Sequence, residues 1–129
     1  MTLKIIAPDR VFYDGEADFV EFTTANGDMG IYPGHVAQTE VIYPGVLTIH
    51  VGGEVKEAAL HSGFVEILQD SITIVAEAVE WPDEIDFNRA EQARIRAERK
   101  IKDAASDETK AELALKRSVL RISMADKKK

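Results

Sequence analysis

Four of the arginines in the last third of the 129-residue chain have the type and spacing best suited to binding chemistry. Arg89 and Arg96 are seven residues apart, so a helix would carry both on one side, two turns from each other. Arg117 and Arg121 are four residues apart and would share a face in the same way. Guanidinium groups present rigid forks of donors that match phosphate oxygens. Two antiparallel helices could therefore bring these arginines together as an anion site.

Two carboxylates could complete such a site. Glu80 precedes the expected helix and Asp86 stands at its start, where each could accept a hydrogen bond from an amine or a hydroxyl group. Together with the four arginines, these carboxylates could hold a nucleotide. In the alternative interpretation, the basic side chains only solvate the helices and pair with Glu91, Glu98 and Glu112. The spacing alone leaves both interpretations open.

Residues that could carry enzymatic chemistry are sparse. The three histidines, His35, His50 and His61, include no pair at the i,i+4 spacing of a zinc-binding helix. The chain contains no cysteine, which excludes disulfides, thiolate metal sites and thiol nucleophiles. The motifs of P-loop proteins, serine hydrolases and dinucleotide-binding folds are absent as well. We therefore expect a noncatalytic protein that requires no cofactor and holds no metal ion.

The charge of the chain differs in sign between its two parts. The net charge of −7 combines −12 in residues 1–84, from 3 Lys/Arg and 15 Asp/Glu, with +5 in residues 85–129, from 13 and 8. This asymmetry indicates that the second part meets an acidic partner or an anion. Nucleic acid is not an expected partner, because no aromatic stacking platform accompanies the basic residues. With no signal peptide and no apolar run of about 20 residues, the protein is expected in the cytoplasm.

Residues 1–84 are predicted to fold as an antiparallel β-sandwich or barrel domain. Short segments of alternating β-branched and aromatic residues are separated by turn signals every eight to twelve residues, and no helix interrupts them. Asn26-Gly27 is predicted to form a type I′ turn, and Gly52-Gly53 is a second candidate for a hairpin turn.

Residues 85–129 are predicted to form a second domain, an antiparallel hairpin of two helices. Apolar residues recur at spacings of three and four on both sides of a break at residues 105–107. The first stripe is Ala90, Ala93, Ala97, Ile101 and Ala104, and the second is Ala111, Ala114 or Leu115, Ser118 or Val119, and Ile122. Burial of an alanine methyl group contributes roughly 0.8 kcal/mol, against about 1.5 to 3 kcal/mol for leucine. The hairpin should therefore be only weakly stable by itself.

Several motifs, in register along the chain, resemble the epsilon subunit of bacterial F-type ATP synthases. They are PDRVFYDGEADFVEFTTANGDMGIYPGH at residues 8–35, YPGVLTI at 43–49, SGFVEI at 62–67 and IDFNRA at 85–90. The resemblance implies an α+β fold that is mainly β, with an N-terminal antiparallel ten-stranded β-sandwich and a C-terminal antiparallel two-helix hairpin. It also implies a noncatalytic central-stalk subunit that helps couple proton or sodium flow to ATP synthesis. Such a subunit would be peripheral to the cytoplasmic face of the cell membrane.

The resemblance also implies the partners of the chain. The loop GDMGIYPGH at residues 27–35 would meet the ring of c subunits and the gamma subunit. Within it, Asp28, Gly30 and Ile31 would face the ring, and His35 would lie near gamma. The helical hairpin would either fold against the sandwich or extend along gamma towards the alpha and beta subunits and inhibit rotation in the hydrolysis direction.

In some members of the family, bound ATP favours the folded hairpin, so the resemblance implies ATP as a regulatory ligand. The matching positions in this chain are Glu80, Ile85, Asp86, Arg89, Ala90, Arg96, Arg117 and Arg121. Two other functions stay open: a purely structural stalk adaptor that binds no ATP, and a free-standing nucleotide-binding domain. The chain departs from the pattern of the family at one polar segment. Gln38, Thr39 and Glu40 stand where many relatives have apolar residues, which leaves the packing of that strand open.

Overall fold

The computed structural model describes residues 1–102 and 108–126. The chain divides into two compact units, Met1–Val79 and Glu80–Lys129. Glu80 and the turn that follows it therefore belong to the helical unit, whereas the sequence places the boundary after residue 84. In the part of the chain that the structure describes, no helix is long and apolar enough to cross a membrane.

The strands form a ten-stranded β-sandwich, as predicted, and the last strand ends at Glu80, the first residue of the second unit. The strands are β1 (Thr2–Ala7), β2 (Arg10–Glu16), β3 (Phe19–Thr24), β4 (Gly27–Ile31), β5 (Gln38–Ile42), β6 (Gly45–Val51), β7 (Glu54–Leu60), β8 (Gly63–Ile67), β9 (Ser71–Ala76) and β10 (Val79–Glu80). Hydrogen-bonded neighbours follow the order β10-β7-β6-β3-β5-β8-β9-β1-β2, and β4 pairs with β3. β1 and β9 are parallel, unlike the antiparallel pairs around them. A parallel pair needs a long connection, and here strands β2 to β8 provide it.

Alternation of side chains builds the core of the sandwich. Val20 and Phe22 on β3, Leu47 and Ile49 on β6 and Ile74 on β9 are almost fully buried, while their sequence neighbours are more exposed. This is the period of two that a half-buried strand requires. Each large apolar side chain removed from water contributes about 1.5 to 3 kcal/mol, so this alternation provides most of the stabilisation of the unit.

One of the two predicted turns has the predicted geometry. Gly52 and Gly53 both have positive φ, 57° and 80°, between the paired residues Val51 and Glu54, which agrees with a two-residue hairpin turn. The type I′ turn predicted at Asn26-Gly27 is wrong, because Gly27 has a φ of 109° but Asn26 does not have positive φ. The Thr24 hydroxyl explains the difference: it accepts a hydrogen bond from the Asn26 N–H and donates one to the Gly27 carbonyl.

The second unit contains a 3-10 turn at Pro82–Glu84, helix α1 at Phe87–Lys102 and helix α2 at Glu108–Asp126. The two helices pack against each other, and the α+β, mainly β fold class is confirmed. Small residues seven positions apart are buried on each helix: Ala90 and Ala97 on α1, and Ala111 and Ser118 on α2. The seven-residue spacing is that of a helix–helix seam, and side chains of this size allow the helices to approach closely.

The structure resolves the alternatives left open for the second apolar stripe. Ser118 is buried and its hydroxyl donates to the Ala114 carbonyl at 2.9 Å, so the seam contains no unsatisfied serine. Val119 is 49% exposed and Ala114 is exposed, whereas Leu115 is half-buried. Ala104, predicted for the first stripe, lies outside the described residues.

Candidate functional site

Asp86 is the N-cap residue of helix α1. Its Oδ1 accepts a hydrogen bond from the Arg89 N–H at 3.1 Å, and its carbonyl accepts one from the Ala90 N–H at 3.0 Å. These are the bonds of an N-cap residue, which satisfies a helix donor that has no partner within the helix. The aspartate of the IDFNRA motif is therefore engaged in helix capping.

Glu80 and Arg121 form an ion pair across the second unit. Nε of Arg121 donates to Oε1 of Glu80 at 2.7 Å, and the two side chains are only 30% and 25% exposed. The contact joins two residues that are 41 positions apart in sequence, and both were predicted to belong to the ligand site.

A pocket of about 400 Å³ lies beside these residues. It is lined by Glu80, Glu84, Ile85, Asp86, Arg89, Ala90, Ala93, Arg96 and Arg121. The structure thus gathers seven of the eight residues predicted from the resemblance to bind ATP. Arg117 is the eighth; it is half-buried on α2, four residues before Arg121, and is not among the lining residues. Arg121 near the end of α2 shares the pocket with Arg89 in the first turn of α1, so the two helices run antiparallel, as predicted.

The three acidic side chains of the pocket already accept hydrogen bonds from the protein. Glu80 accepts from Arg121, Asp86 from the Arg89 N–H, and Glu84 from the Trp81 N–H at 2.8 Å. By contrast, the guanidinium groups of Arg89 and Arg96 form no ion pair or hydrogen bond with any residue in 1–102 or 108–126. The groups left for a ligand are therefore donors, and the pocket suits an anion with several oxygens.

Arg94, which is not a pocket residue, forms the ion pairs with the acidic side chains of α1. Arg94 donates to both Glu91 and Glu98, the latter at 2.7 Å. These contacts hold the pKa of Glu91 below its usual value and raise that of Arg94, chiefly through the hydrogen bond between the two side chains. The alternative proposed from sequence was that the basic side chains solvate the helices and pair with acids. Pairing with Glu91 and Glu98 is seen for Arg94, while Arg89 and Arg96 are exposed to solvent. Among the described residues, no group of three or more metal-binding side chains could hold a metal ion.

The four predicted interface residues lie on β4 and in the segment after it. Asp28 and Gly30 are exposed on the outer face of β4, where the Asp28 carboxylate accepts a hydrogen bond from Thr23 at 2.8 Å. Ile31 is only 1% exposed, so its side chain belongs to the core, and the outer surface of β4 is formed by its neighbours. His35 is half-buried, and its Nδ1 lies 2.7 Å from the Val36 carbonyl.

An aromatic pair lies against Gly30. The rings of Phe19 and Tyr32 are stacked with centroids 4.1 Å apart, and Tyr32 is 63% exposed. A Cβ atom at Gly30 would lie 2.6 Å from Phe19 Cζ, which is closer than real atoms approach. The absence of a side chain at Gly30 is therefore required for the position of the Phe19 ring.

The polar departure after His35 is explained by a hydrogen-bond network. Glu40 accepts hydrogen bonds from the amide of Gln38 at 2.5 Å and from the amide of Asn26 at 3.2 Å. Glu40 faces the same side of the sheet as its buried neighbour across the strands, Val65. Polar groups on this face are tolerated because they bond to one another.

Sequence reasoning missed an exposed apolar row on the sandwich. Val41, Phe64, Val75, Ile6 and Val11 are direct cross-strand neighbours on the consecutive strands β5, β8, β9, β1 and β2. The exposed fractions include 55% for Val41, 51% for Phe64 and 55% for Val11. The signal in the sequence was adjacent apolar residues within a strand, such as Phe64-Val65, because one of such a pair must point away from the core. A contiguous apolar row of this kind indicates a protein-binding surface.

Two family models and many relatives match the chain. A family model described as ATP synthase, Delta/Epsilon chain, beta-sandwich domain matches residues 1–82, and one described as the long alpha-helix domain of the same chain matches residues 83–126. The ATP synthase epsilon chain of Caldanaerobacter subterraneus subsp. tengcongensis is 39% identical over 128 residues, which cover 97% of this chain and 93% of that one. The ATP synthase epsilon chain of Ruminococcus albus is 38% identical, over 98% of this chain and 96% of its own.

Two solved assemblies contain chains of similar fold. A chain in the cryo-EM structure of the Euglena gracilis mitochondrial ATP synthase, comprising OSCP, F1 and the c-ring, matches with a TM-score of 0.79 at 23% identity, over 95% of this chain and 79% of that one. A chain in the central stalk and c-ring structure of the Tetrahymena thermophila enzyme gives a TM-score of 0.56 at 19% identity, over 64% and 67%. At these identities the two matches support the fold alone. Because the family models cover residues 1–82 and 83–126, the chain belongs to the ATP synthase delta/epsilon chain family.

Proposed function

We propose that this chain is a central-stalk subunit of the F1Fo ATP synthase whose helical unit binds ATP in the pocket between α1, α2 and Glu80. Family membership confirms the expectation of a noncatalytic subunit of that complex. In the proposed role, the subunit helps couple proton or sodium translocation to ATP synthesis. It is peripheral to the cytoplasmic face of the membrane and reaches the membrane only through the complex.

The observation that supports ATP binding is the pair of unengaged guanidinium groups in the pocket. Arg89 and Arg96 lie two helical turns apart on α1, and Arg121 adds a third guanidinium group from α2. A triphosphate carries oxygens for several such donors, and long arginine side chains from two turns can converge on it. The pocket volume of about 400 Å³ lies within the range of small-molecule sites.

Ligand binding would stabilise the folded hairpin by mass action. If ATP binds the folded hairpin alone, the free energy gained is RT ln(1 + [ATP]/Kd), about 2.7 kcal/mol at a hundredfold excess over Kd. The seam of Ala90, Ala97, Ala111 and Ser118 buries only small side chains, so a change of this size is large beside the contribution of each buried methyl group, roughly 0.8 kcal/mol. Without ATP, the basic segment would extend along gamma towards acidic surface on the alpha and beta subunits, a preference that salt weakens.

ATP titration of the purified chain tests this proposal. We expect ATP to raise the melting temperature of the chain, and expect Arg89→Ala and Arg96→Ala to remove that increase. Arg99→Ala is the matched control, because Arg99 is an exposed arginine of the same helix outside the pocket. Arg117→Ala tests the predicted residue that is not in the pocket lining. Identical melting of the parent chain with and without millimolar ATP would refute the proposed site.

The sandwich unit is proposed to bind the gamma subunit and the ring of c subunits. The exposed row across β5, β8, β9, β1 and β2 is apolar, and we assign gamma to it. Asp28 and Gly30 on the outer face of β4 are assigned to the polar loops of the ring, and His35 to the margin near gamma. Co-purification of gamma and c subunits with the chain tests these assignments.

A second candidate function is a purely structural stalk adaptor that binds no ATP. Two observations favour it: capping accounts for Asp86, and the ion pair accounts for Glu80 and Arg121, without any ligand. In that function, the exposed Arg89 and Arg96 side chains would only solvate α1. Calorimetry of ATP with the isolated chain separates the two, because an adaptor gives no saturable heat.

A further inference from the structure

The carboxylate of Glu80 is bound to one of the arginines that line the pocket. Its Oε1 accepts the Nε–H of Arg121 at 2.7 Å, a short charge-assisted hydrogen bond. Both side chains are partly shielded from water, 25% and 30% exposed. The Glu80–Arg121 pair therefore joins the last residue of β10, two positions before the 3-10 turn, to the C-terminal part of α2.

This hydrogen bond leaves most of the Arg121 guanidinium group available to a ligand. A guanidinium group carries five N–H bonds, and the Nε–H is the one that Glu80 accepts. The two terminal nitrogens hold the other four, in a planar fork that matches two phosphate oxygens. Fixing Nε also removes rotamer freedom from a long side chain, and a ligand would otherwise have to remove it on binding.

Direct recognition of a ligand by Glu80 would compete with this pair. A carboxylate oxygen that accepted a ligand amine or hydroxyl would lose part of its interaction with Arg121. That loss would leave an arginine of the pocket without its anchor. We propose that Glu80 is a positioning residue that acts on the ligand through Arg121, and that the Glu80–Arg121 pair holds α2 in the folded hairpin even when no ligand is bound. This proposal rests on the proposed ATP site.

Two probes separate positioning from direct contact: ATP, and inorganic tripolyphosphate, which has neither a base nor a sugar. If Glu80 acts through Arg121, Glu80→Gln raises the Kd of both probes by the same factor, about tenfold, which corresponds to about 1.4 kcal/mol. If Glu80 instead contacts an amine or hydroxyl, Glu80→Gln weakens ATP binding and leaves tripolyphosphate unchanged. Glu80→Asp keeps the carboxylate and should restore part of the affinity for both probes.

A matched control and a ligand-free measurement complete the experiment. Asp83→Asn removes the same charge three residues away, on an exposed side chain outside the pocket, and should leave both affinities unchanged. Hydrogen exchange of α2 amides is then measured without ligand in the parent, Glu80→Gln, Arg121→Met and the double variant. We expect faster exchange in each single variant and no further increase in the double variant.

Each outcome supports or overturns the proposal. The positioning role is overturned if Glu80→Gln lowers the affinity for ATP and not that for tripolyphosphate. It is also overturned if the parent chain binds ATP but does not bind tripolyphosphate. If the parent binds neither probe, the ATP site itself fails, and the exchange measurement then decides the role of the pair. Additive exchange effects would overturn the coupling of Glu80 to Arg121, and non-additive effects would support it.

Discussion

Replacing Asp86, the N-cap residue of α1, should lower the stability of the helical unit by about the contribution of its capping hydrogen bond. The Asp86 carboxylate accepts the Arg89 N–H at 3.1 Å, so Asp86→Ala leaves that donor without its protein acceptor. Loss of an N-cap costs about 1 kcal/mol, in a range of about 0.5 to 2 kcal/mol. Such a change alters the equilibrium between closed and open helix about fivefold. Hydrogen exchange of the α1 amides, measured without ligand, should therefore accelerate by about that factor.

Conservative variants of Asp86 separate the effect of the capping hydrogen bond from the effect of the negative charge. Asp86→Ser and Asp86→Asn keep a cap acceptor, and should lose only the interaction of a charge with the helix N-terminus, about 0.3 to 1 kcal/mol. Exchange should thus be fastest in Asp86→Ala. Gln92→Ala, at an exposed position in the middle of α1, should have no comparable effect. Equal acceleration by all three Asp86 variants would refute the capping argument and would favour a role for the charge alone.

Three further predictions concern the sandwich and the surface of α1. Gly30→Ala places a Cβ 2.6 Å from the Phe19 ring and should destabilise the sandwich by about 1 to 3 kcal/mol in denaturant titration. Phe64→Asp should weaken binding to gamma and leave the melting temperature nearly unchanged, because Phe64 is already 51% exposed. The lowered pKa of Glu91 contributes stability that is present above its usual value of 4.5 and is lost as the pH falls through the lowered pKa. Acid titration of α1 helicity by circular dichroism should show this small loss.

Matched variants control these three predictions. Gly15→Ala should be tolerated, because its Cβ would meet Tyr13 at 3.6 Å, an ordinary contact distance. Glu66→Gln, on the same face of β8 as Phe64, should leave gamma binding unchanged. Glu91→Gln should remove its part of the acid dependence. The corresponding arguments fail if Gly30→Ala is as stable as Gly15→Ala, if Phe64→Asp still binds gamma fully, or if the acid titration is the same with and without Glu91.

Strands and turns could be predicted where an alternation of apolar and polar residues ended at a turn signal in the sequence. The alternation around Val20 and Phe22 defines which face of β3 is buried, and the Gly52-Gly53 pair defines a hairpin. At Asn26, a local side-chain bond from Thr24 replaced the turn that the dipeptide favours alone. The parallel pairing of β1 with β9 could not be read from any short segment, because it depends on the path of the whole chain.

For the candidate site, the sequence predicted which residues line the pocket but not which of them bond to each other. The resemblance to the family supplied seven of the residues that line the pocket, five of which residue type and spacing had also singled out, but neither indicated which charges bind each other. The pairing of Glu80 with Arg121 spans 41 residues, and Arg94 is an equally plausible partner for an acid until the direction of each side chain is known. The apolar row through Phe64 was missed for a similar reason. Its members are scattered in sequence and become neighbours only through strand register.

In the proposed function, the small contributions that hold the hairpin together would allow a ligand to control it. The cap contributes about 1 kcal/mol, and an ion pair at the surface typically contributes about 0.2 to 1 kcal/mol. The seam between Ala97 and Ser118 adds less than leucines would at the same positions. Under that proposal, a binding free energy of about 2.7 kcal/mol at a hundredfold excess of ligand would be enough to shift the hairpin from an extended to a folded form. A leucine-lined seam would add several kcal/mol to the folded form and make the same ligand ineffective, so weak packing here is a condition for the proposed regulation.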